Sequence, residues 1–183
     1  MIFGDFRKAL GQIGDPRFRR VLGLGIGLAI AKRAAADGAN VVIVAKTTEA
    51  NPKLPGTIYS AAAEIEAAGG RALPLAVDIR DEAAVLEAVA KAVETFGGID
   101  ILVNNAATNP HFGPFLTAED SHWDKILDVN VKGYFRVAKA SIPVMRQRGG
   151  GKIINMASVA GLEPVSYTHL RAHETVLDLV CRL

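Results

Sequence analysis

The segment GLGIGLAIAKRAA, residues 23–35, sets Gly23, Gly25 and Gly27 directly before an alanine-rich run suited to a helix. Glycines at such a junction let the backbone approach an anion closely. The first turn of the helix offers unpaired N–H groups and the positive end of its dipole, a combination suited to phosphate. Taken alone, the triplet is equally well explained by flexibility before a helix. A second set of reactive residue types lies in SYTHLRAHETVLDLVCRL, residues 166–183. It holds two of the four histidines, one of the three tyrosines and the single cysteine. Tyrosine, histidine and cysteine are the groups of acid–base and nucleophilic chemistry.

Positioning such groups falls to alternating strand and helix signals. NVVIVAK, residues 40–46, is a short β-branched run of the kind buried on both faces of a sheet. TIYSAAAEIEAAGG predicts a helix stopped by Gly69 and Gly70. RALPLAVD predicts a second strand, and DEAAVLEAVAKAVETFGG an amphipathic helix opened by Asp81 and Glu82 and closed by glycines. IDILVNNA is a third strand running into a polar turn. AEDSHWDKILDVNVKGYFRVAKASIPVMRQRGGG is expected to be one long helix, and KIINMAS a further strand. Strands alternating with helices of this length imply βαβ crossovers and a doubly wound, Rossmann-like α/β fold with a parallel sheet from about residue 20 to residue 158. Ligands of such sheets bind at the carboxyl ends of the strands. Those ends carry Gly23 to Gly27, Lys46, Asp78, Asn104 to Ala107 and Ser158.

With VDIRD, LVNNA, DVNVKG and KIINMASVAG following the glycines in this order, residues 25 to 164 resemble the short-chain dehydrogenase/reductase family. The resemblance implies an NAD(P)-dependent oxidoreductase acting on a small alcohol or carbonyl substrate. Gly25-Ile26-Gly27 matches the end of the family's cofactor turn, with Gly23 preceding it. Lys46 stands where the adenosine ribose is read; a cation there suits a 2′-phosphate, so NADP is favoured over NAD. A solvated loop lysine is the alternative. Asp78 matches the residue at the adenine edge, with helix capping as its alternative. Asn105 belongs to the family's NNAG turn, in which Ala107 replaces the last glycine. Asn130 matches the helix asparagine of the family's proton relay, and Ser158 the serine that hydrogen-bonds the substrate oxygen. Two stretches, residues 45–70 and 104–135, resemble different branches of the family, so the resemblance carries the reaction class and not the substrate. It also implies homo-oligomers built in part through the long helix.

The pattern departs from the family at both ends. Family chemistry needs a Y-x-x-x-K word, in which the lysine lowers the tyrosine's pKa. Tyr167 follows Ser158 more closely than the family spacing, and the residue four further on is Arg171. Arginine cannot replace a ribose-binding ammonium without a change of shape. The DNA string that would encode VSYTHLRAHET resembles the end adapter of transposase-made sequencing libraries, and LVCRL resembles the next adapter segment in the same frame. Residues 165–183 are therefore expected to be foreign to the gene, leaving the sheet incomplete on its C-terminal side. At the other end, Arg20 and Val21 replace the threonine and first glycine of the family's turn. Residues 1–20 are expected to be an atypical segment, explained by a misassembled join or by a divergent N-terminus, and residues 21–164 the dinucleotide-binding domain.

Composition narrows the remaining classes. A formal charge of +2 with scattered basic residues disfavours a nucleic-acid partner. A single cysteine excludes an internal disulfide framework or a cysteine metal cluster, which points to a reducing cytoplasm. The apolar run at residues 21–31 is shorter than the roughly 20 residues of a membrane-spanning helix. A non-catalytic nucleotide-binding module and a membrane anchor within the first 30 residues stand as the competing readings.

Overall fold

The computed structural model describes residues 2–5, 25–50, 56–111, 114–157 and 180–182, with the backbone alone for the first and last of these. Six strands form one sheet in the order β3-β2-β1-β4-β5-β6: β1 (Ile2–Asp5), β2 (Asn40–Ala45), β3 (Arg71–Ala76), β4 (Ile101–Asn104), β5 (Lys152–Asn155) and β6 (Val180–Arg182). Helices α1 (Ile26–Ala36), α2 (Ile58–Ala67), α3 (Glu82–Phe96), α4 (Asp120–Ile126) and α5 (Tyr134–Gln147) join them.

Strand alternation assigns side chains to the two faces. Val42, Val44 and Leu102 pack with Val85 and Val89 of α3 and Val137 and Met145 of α5. Val41, Ile101 and Val103 pack on the opposite face with Ala31, Ala34 and Ala35 of α1 and Ile65 of α2. With helices on both faces, the strands need apolar residues at successive positions, which is why β4 is buried throughout. The alanines of α1 let it lie close to the sheet. Local signals set the helix ends: Thr57 caps α2 by accepting from the Ser60 amide, and Asp81 caps α3 by accepting from Ala84. Gly97 ends α3 with φ of 80°, in the left-handed region.

Three features differ from the sequence expectation. The sheet is mixed, because β1 runs antiparallel to both β2 and β4. Residues 2–5, expected outside the domain, thus occupy its central slot. The facing edges of β2 and β4 present backbone donors and acceptors that must be paired, and an extended segment of either direction pairs them. At the far edge β6 adds an antiparallel strand to β5 from within the tail. The long helix is also interrupted: residues Leu127–Gly133 between α4 and α5 form a π-helical segment. Gly133 at its end lies so close to the loop after β3 that a Cβ would meet Ile79 Cδ1 at 2.6 Å.

Candidate active site

Because β1 is antiparallel to both neighbours, β2 and β4 share one direction, and β3 and β5 are parallel to them. Their carboxyl ends therefore lie on one edge of the sheet. Lys46 directly follows β2, Asp78 lies two residues past β3, and Asn105 directly follows β4. Gly25 and Ile26 open α1 beside them, where Gly25, Gly27, Ala45 and Asn105 line a cleft of about 160 Å³. Gly23 and Ser158 lie outside the described residues, as do Tyr167 and Arg171.

Close approach is the organising feature of the cleft. A Cβ on Gly27 would stand 2.8 Å from Asn105 Nδ2 and 3.3 Å from its Cγ, whereas one on Gly25 would meet nothing within 4 Å. The first turn of α1 is thus pressed against the end of β4, with open space beside its leading residue. Backbone N–H groups at the start of an eleven-residue helix, next to a glycine-made gap, fit the phosphates of a dinucleotide. The floor is apolar, with Leu28, Ala31, Ile43 and Ile65 lining it.

Charge gathers at the ends of β2 and β3. Asp78 accepts from Arg80 Nε at 3.0 and 3.1 Å, from Arg80 Nη2 at 2.6 Å and from the Arg80 amide at 3.0 Å. Lys46 Nζ lies 3.5 Å from the same carboxylate. The Arg80 side-chain hydrogen bonds hold the Asp78 carboxyl well below the usual carboxylate range. Partial burial opposes this, and the Arg80 amide and the Lys46 charge add to it. Helix capping, the alternative for Asp78, falls to Asp81 instead.

Asn130 is buried within the π-helical segment. Its Oδ1 accepts from the Thr108 amide at 2.8 Å and its Nδ2 donates to the Thr108 carbonyl at 3.0 Å. The side chain therefore acts as a two-point clamp on the segment leaving β4. Alongside it, Asn104 Nδ2 donates to Asn155 Oδ1 at 2.8 Å, tying the ends of β4 and β5. Arg80 and Asn155 were not singled out by sequence reasoning. A two-residue Asp–Arg spacing after a strand is the signal that could have found Arg80. Thr108 acts through its backbone, so its residue type carries no signal.

The sequence profile of the short chain dehydrogenase family matches residues 22–170. The chain belongs to the short-chain dehydrogenase family. It is 52% identical over 145 residues to hydroxysteroid dehydrogenase-like protein 2 of Xenopus tropicalis, across 77% of this chain and 34% of that protein. A short chain dehydrogenase of Mycobacterium thermoresistibile superposes with a TM-score of 0.71 at 48% identity, covering 83% of this chain and 53% of the other. L-Sorbose reductase of Gluconobacter frateurii, solved with NADPH and L-sorbose, gives 0.71 at 35% identity over 83% and 55% of the two chains. NAD+-bound xylitol dehydrogenase gives 0.70 at 30% over 82% and 54%. The chain thus spans about a third of that curated relative and just over half of these solved structures. The family binds a nicotinamide cofactor, and the doubly wound fold expected from the sequence is the one observed. Among the described residues, no helix is long and apolar enough to cross a membrane, and no cluster of His, Cys, Asp and Glu could hold a metal ion.

Proposed function

We propose that this chain carries the cofactor-binding portion of an NAD(P)-dependent oxidoreductase that interconverts a small alcohol and its carbonyl. The observation that carries the reading is the shared edge: the first turn of α1, Lys46, Asp78 and Asn105 all stand at carboxyl ends of like-directed strands. The α1 N-terminus and the cleft beside Gly25 would hold the pyrophosphate, Asp78 the adenine edge, and Lys46 a 2′-phosphate, favouring NADP. The cofactor supplies hydride chemistry when bound. Asn130 holds the segment after β4 in place, and Ser158 would orient the substrate oxygen.

Under the same proposal, residues 165–183 and much of residues 1–20 do not derive from the parent enzyme, and the chain as it stands does not turn over. The pairing of Val180–Arg182 with β5 is compatible with this, since backbone pairing at a sheet edge requires no particular side chains. The proposed compartment is the cytoplasm, consistent with one cysteine in the sequence. The missing Y-x-x-x-K word favours a second reading, a nucleotide-binding module without catalysis. Calorimetric titration with NADPH and NADH tests the cofactor half of the proposal. Saturable binding of either supports it, and binding of neither at millimolar concentration contradicts it. A Y-x-x-x-K word in the parent gene, read by amplifying across residues 158–183, separates the enzyme from the module.

A further inference from the structure

We propose that Arg80 is a specificity-determining positioning residue, which neutralises Asp78 and so leaves the Lys46 ammonium available to a phosphate monoester on the adenosine ribose. The inference rests on the cofactor reading above. Two cations, at the ends of two adjacent strands, share one carboxylate. Arg80 takes both oxygens of Asp78 through its Nε and Nη2 edge, at 2.6 to 3.1 Å. Lys46 stands further off, at 3.5 Å from Oδ2, with its side chain 62% exposed. The guanidinium therefore holds the short, charge-assisted contacts and the ammonium a loose one. Lys46 can leave that contact for a ligand without stripping Asp78 of its partner.

Charge arithmetic gives the consequence. Lys46, Arg80 and Asp78 sum to +1, a favourable field for a phosphate monoester carrying close to two negative charges at neutral pH. Without Arg80 the sum is zero. The bare carboxylate would then draw Lys46 onto itself and repel the phosphate. A cofactor lacking the 2′-phosphate has no such group to lose, so the two nicotinamide cofactors respond differently. The guanidinium also keeps one nitrogen, Nη1, outside the Asp78 contacts.

The test is the ratio of NADPH to NADH affinity, measured by calorimetry at low salt on the whole chain. A ratio taken within each variant cancels any general loss of folded protein. Arg80→Gln should lower the ratio roughly tenfold, as expected for removing one unit charge several Å from a dianion near the surface. Adding Asp78→Asn to Arg80→Gln restores the sum to +1 and should recover most of the ratio. Arg80→Lys, which keeps the charge, should hold it within about threefold of the original. The spread among variants should shrink as salt shortens the Debye length to about 8 Å at 0.15 M. Equal weakening of both cofactors by Arg80→Gln, or an unchanged ratio, overturns the inference while leaving the cofactor reading intact. Failure of the unsubstituted chain to bind either cofactor overturns the cofactor reading and this inference with it.

Discussion

Replacing Asn130 by alanine removes both contacts that fix the segment leaving β4. The lost hydrogen bonds are those of 2.8 and 3.0 Å to the amide and carbonyl of Thr108. An unsatisfied buried backbone group costs about 1–3 kcal/mol. Thr108 is only partly buried, so water recovers some of this and the lower end applies, about 1 kcal/mol for each group. Asn130 is itself buried at 8% exposure, and the space left by its amide adds a further cavity cost. The total is about 2–3 kcal/mol, or roughly 4–12 °C in Tm for a domain of this size. Urea denaturation followed by fluorescence suits the measurement, because Trp123 in α4 is the only tryptophan. Hydrogen exchange at the Thr108 amide should accelerate in parallel. Asn130→Asp sharpens the test. Its carboxylate still accepts from the amide but faces the Thr108 carbonyl with a lone pair, which favours the protonated form and raises its pKa. That variant should be at least as unstable at pH 7 and should recover as pH falls toward 5, where the new carboxyl can donate. A loss below about 0.5 kcal/mol for Asn130→Ala, with Thr108 exchange unchanged, would refute the clamp.

Two further perturbations have expected outcomes. Gly27→Ala gains about 1 kcal/mol of helix propensity but forces Asn105 to move from contact at 2.8 Å. Stability should change by less than about 1 kcal/mol while NADPH affinity falls roughly tenfold; intact affinity would show that the close approach does not shape the phosphate site. Asp78 and Glu82 both have carboxyl pKa values lowered in the folded chain, by hydrogen bonds from Arg80 and Lys139 respectively. Groups lowered in this way stabilise the fold above their unfolded pKa values near 4, and that contribution is lost as pH falls below about 4. Asp78→Asn should therefore flatten the decline of Tm between about pH 4 and pH 2, and an unaltered slope would count against the Arg80 contact.

The strands and helices between residues 26 and 155 were legible because each carries its own period and its own stop. Val41 to Val44 form a continuous apolar run, and Asp81 and Gly97 mark the two ends of α3. What escaped is what depends on tertiary context. That Ile2–Asp5 fills the central slot depends on two unpaired strand edges, which accept either direction, and nothing within the segment encodes the antiparallel one. The π-helical segment arises where Asn130 and Gly133 pack against Thr108 and Ile79 from different elements. At the site, Lys46, Asp78 and Asn105 could be found by following strand ends. The relation between Lys46 and Asp78 could not, because it runs across two strands and is shaped by Arg80.

We propose that this chain keeps a cofactor cleft without the tyrosine–lysine pair of family chemistry, since Arg171 stands four residues after Tyr167. The most direct measurement compares carbonyl-dependent NADPH oxidation by the 183-residue chain with that of a version whose residues 165–183 are replaced by the continuation found in the parent gene. Loss of a positioned proton donor alone removes about 10²–10⁴ in rate. Turnover is expected in the restored protein, and none above background in the chain as it stands. Robust turnover by the 183-residue chain, abolished by Tyr167→Phe, would contradict it.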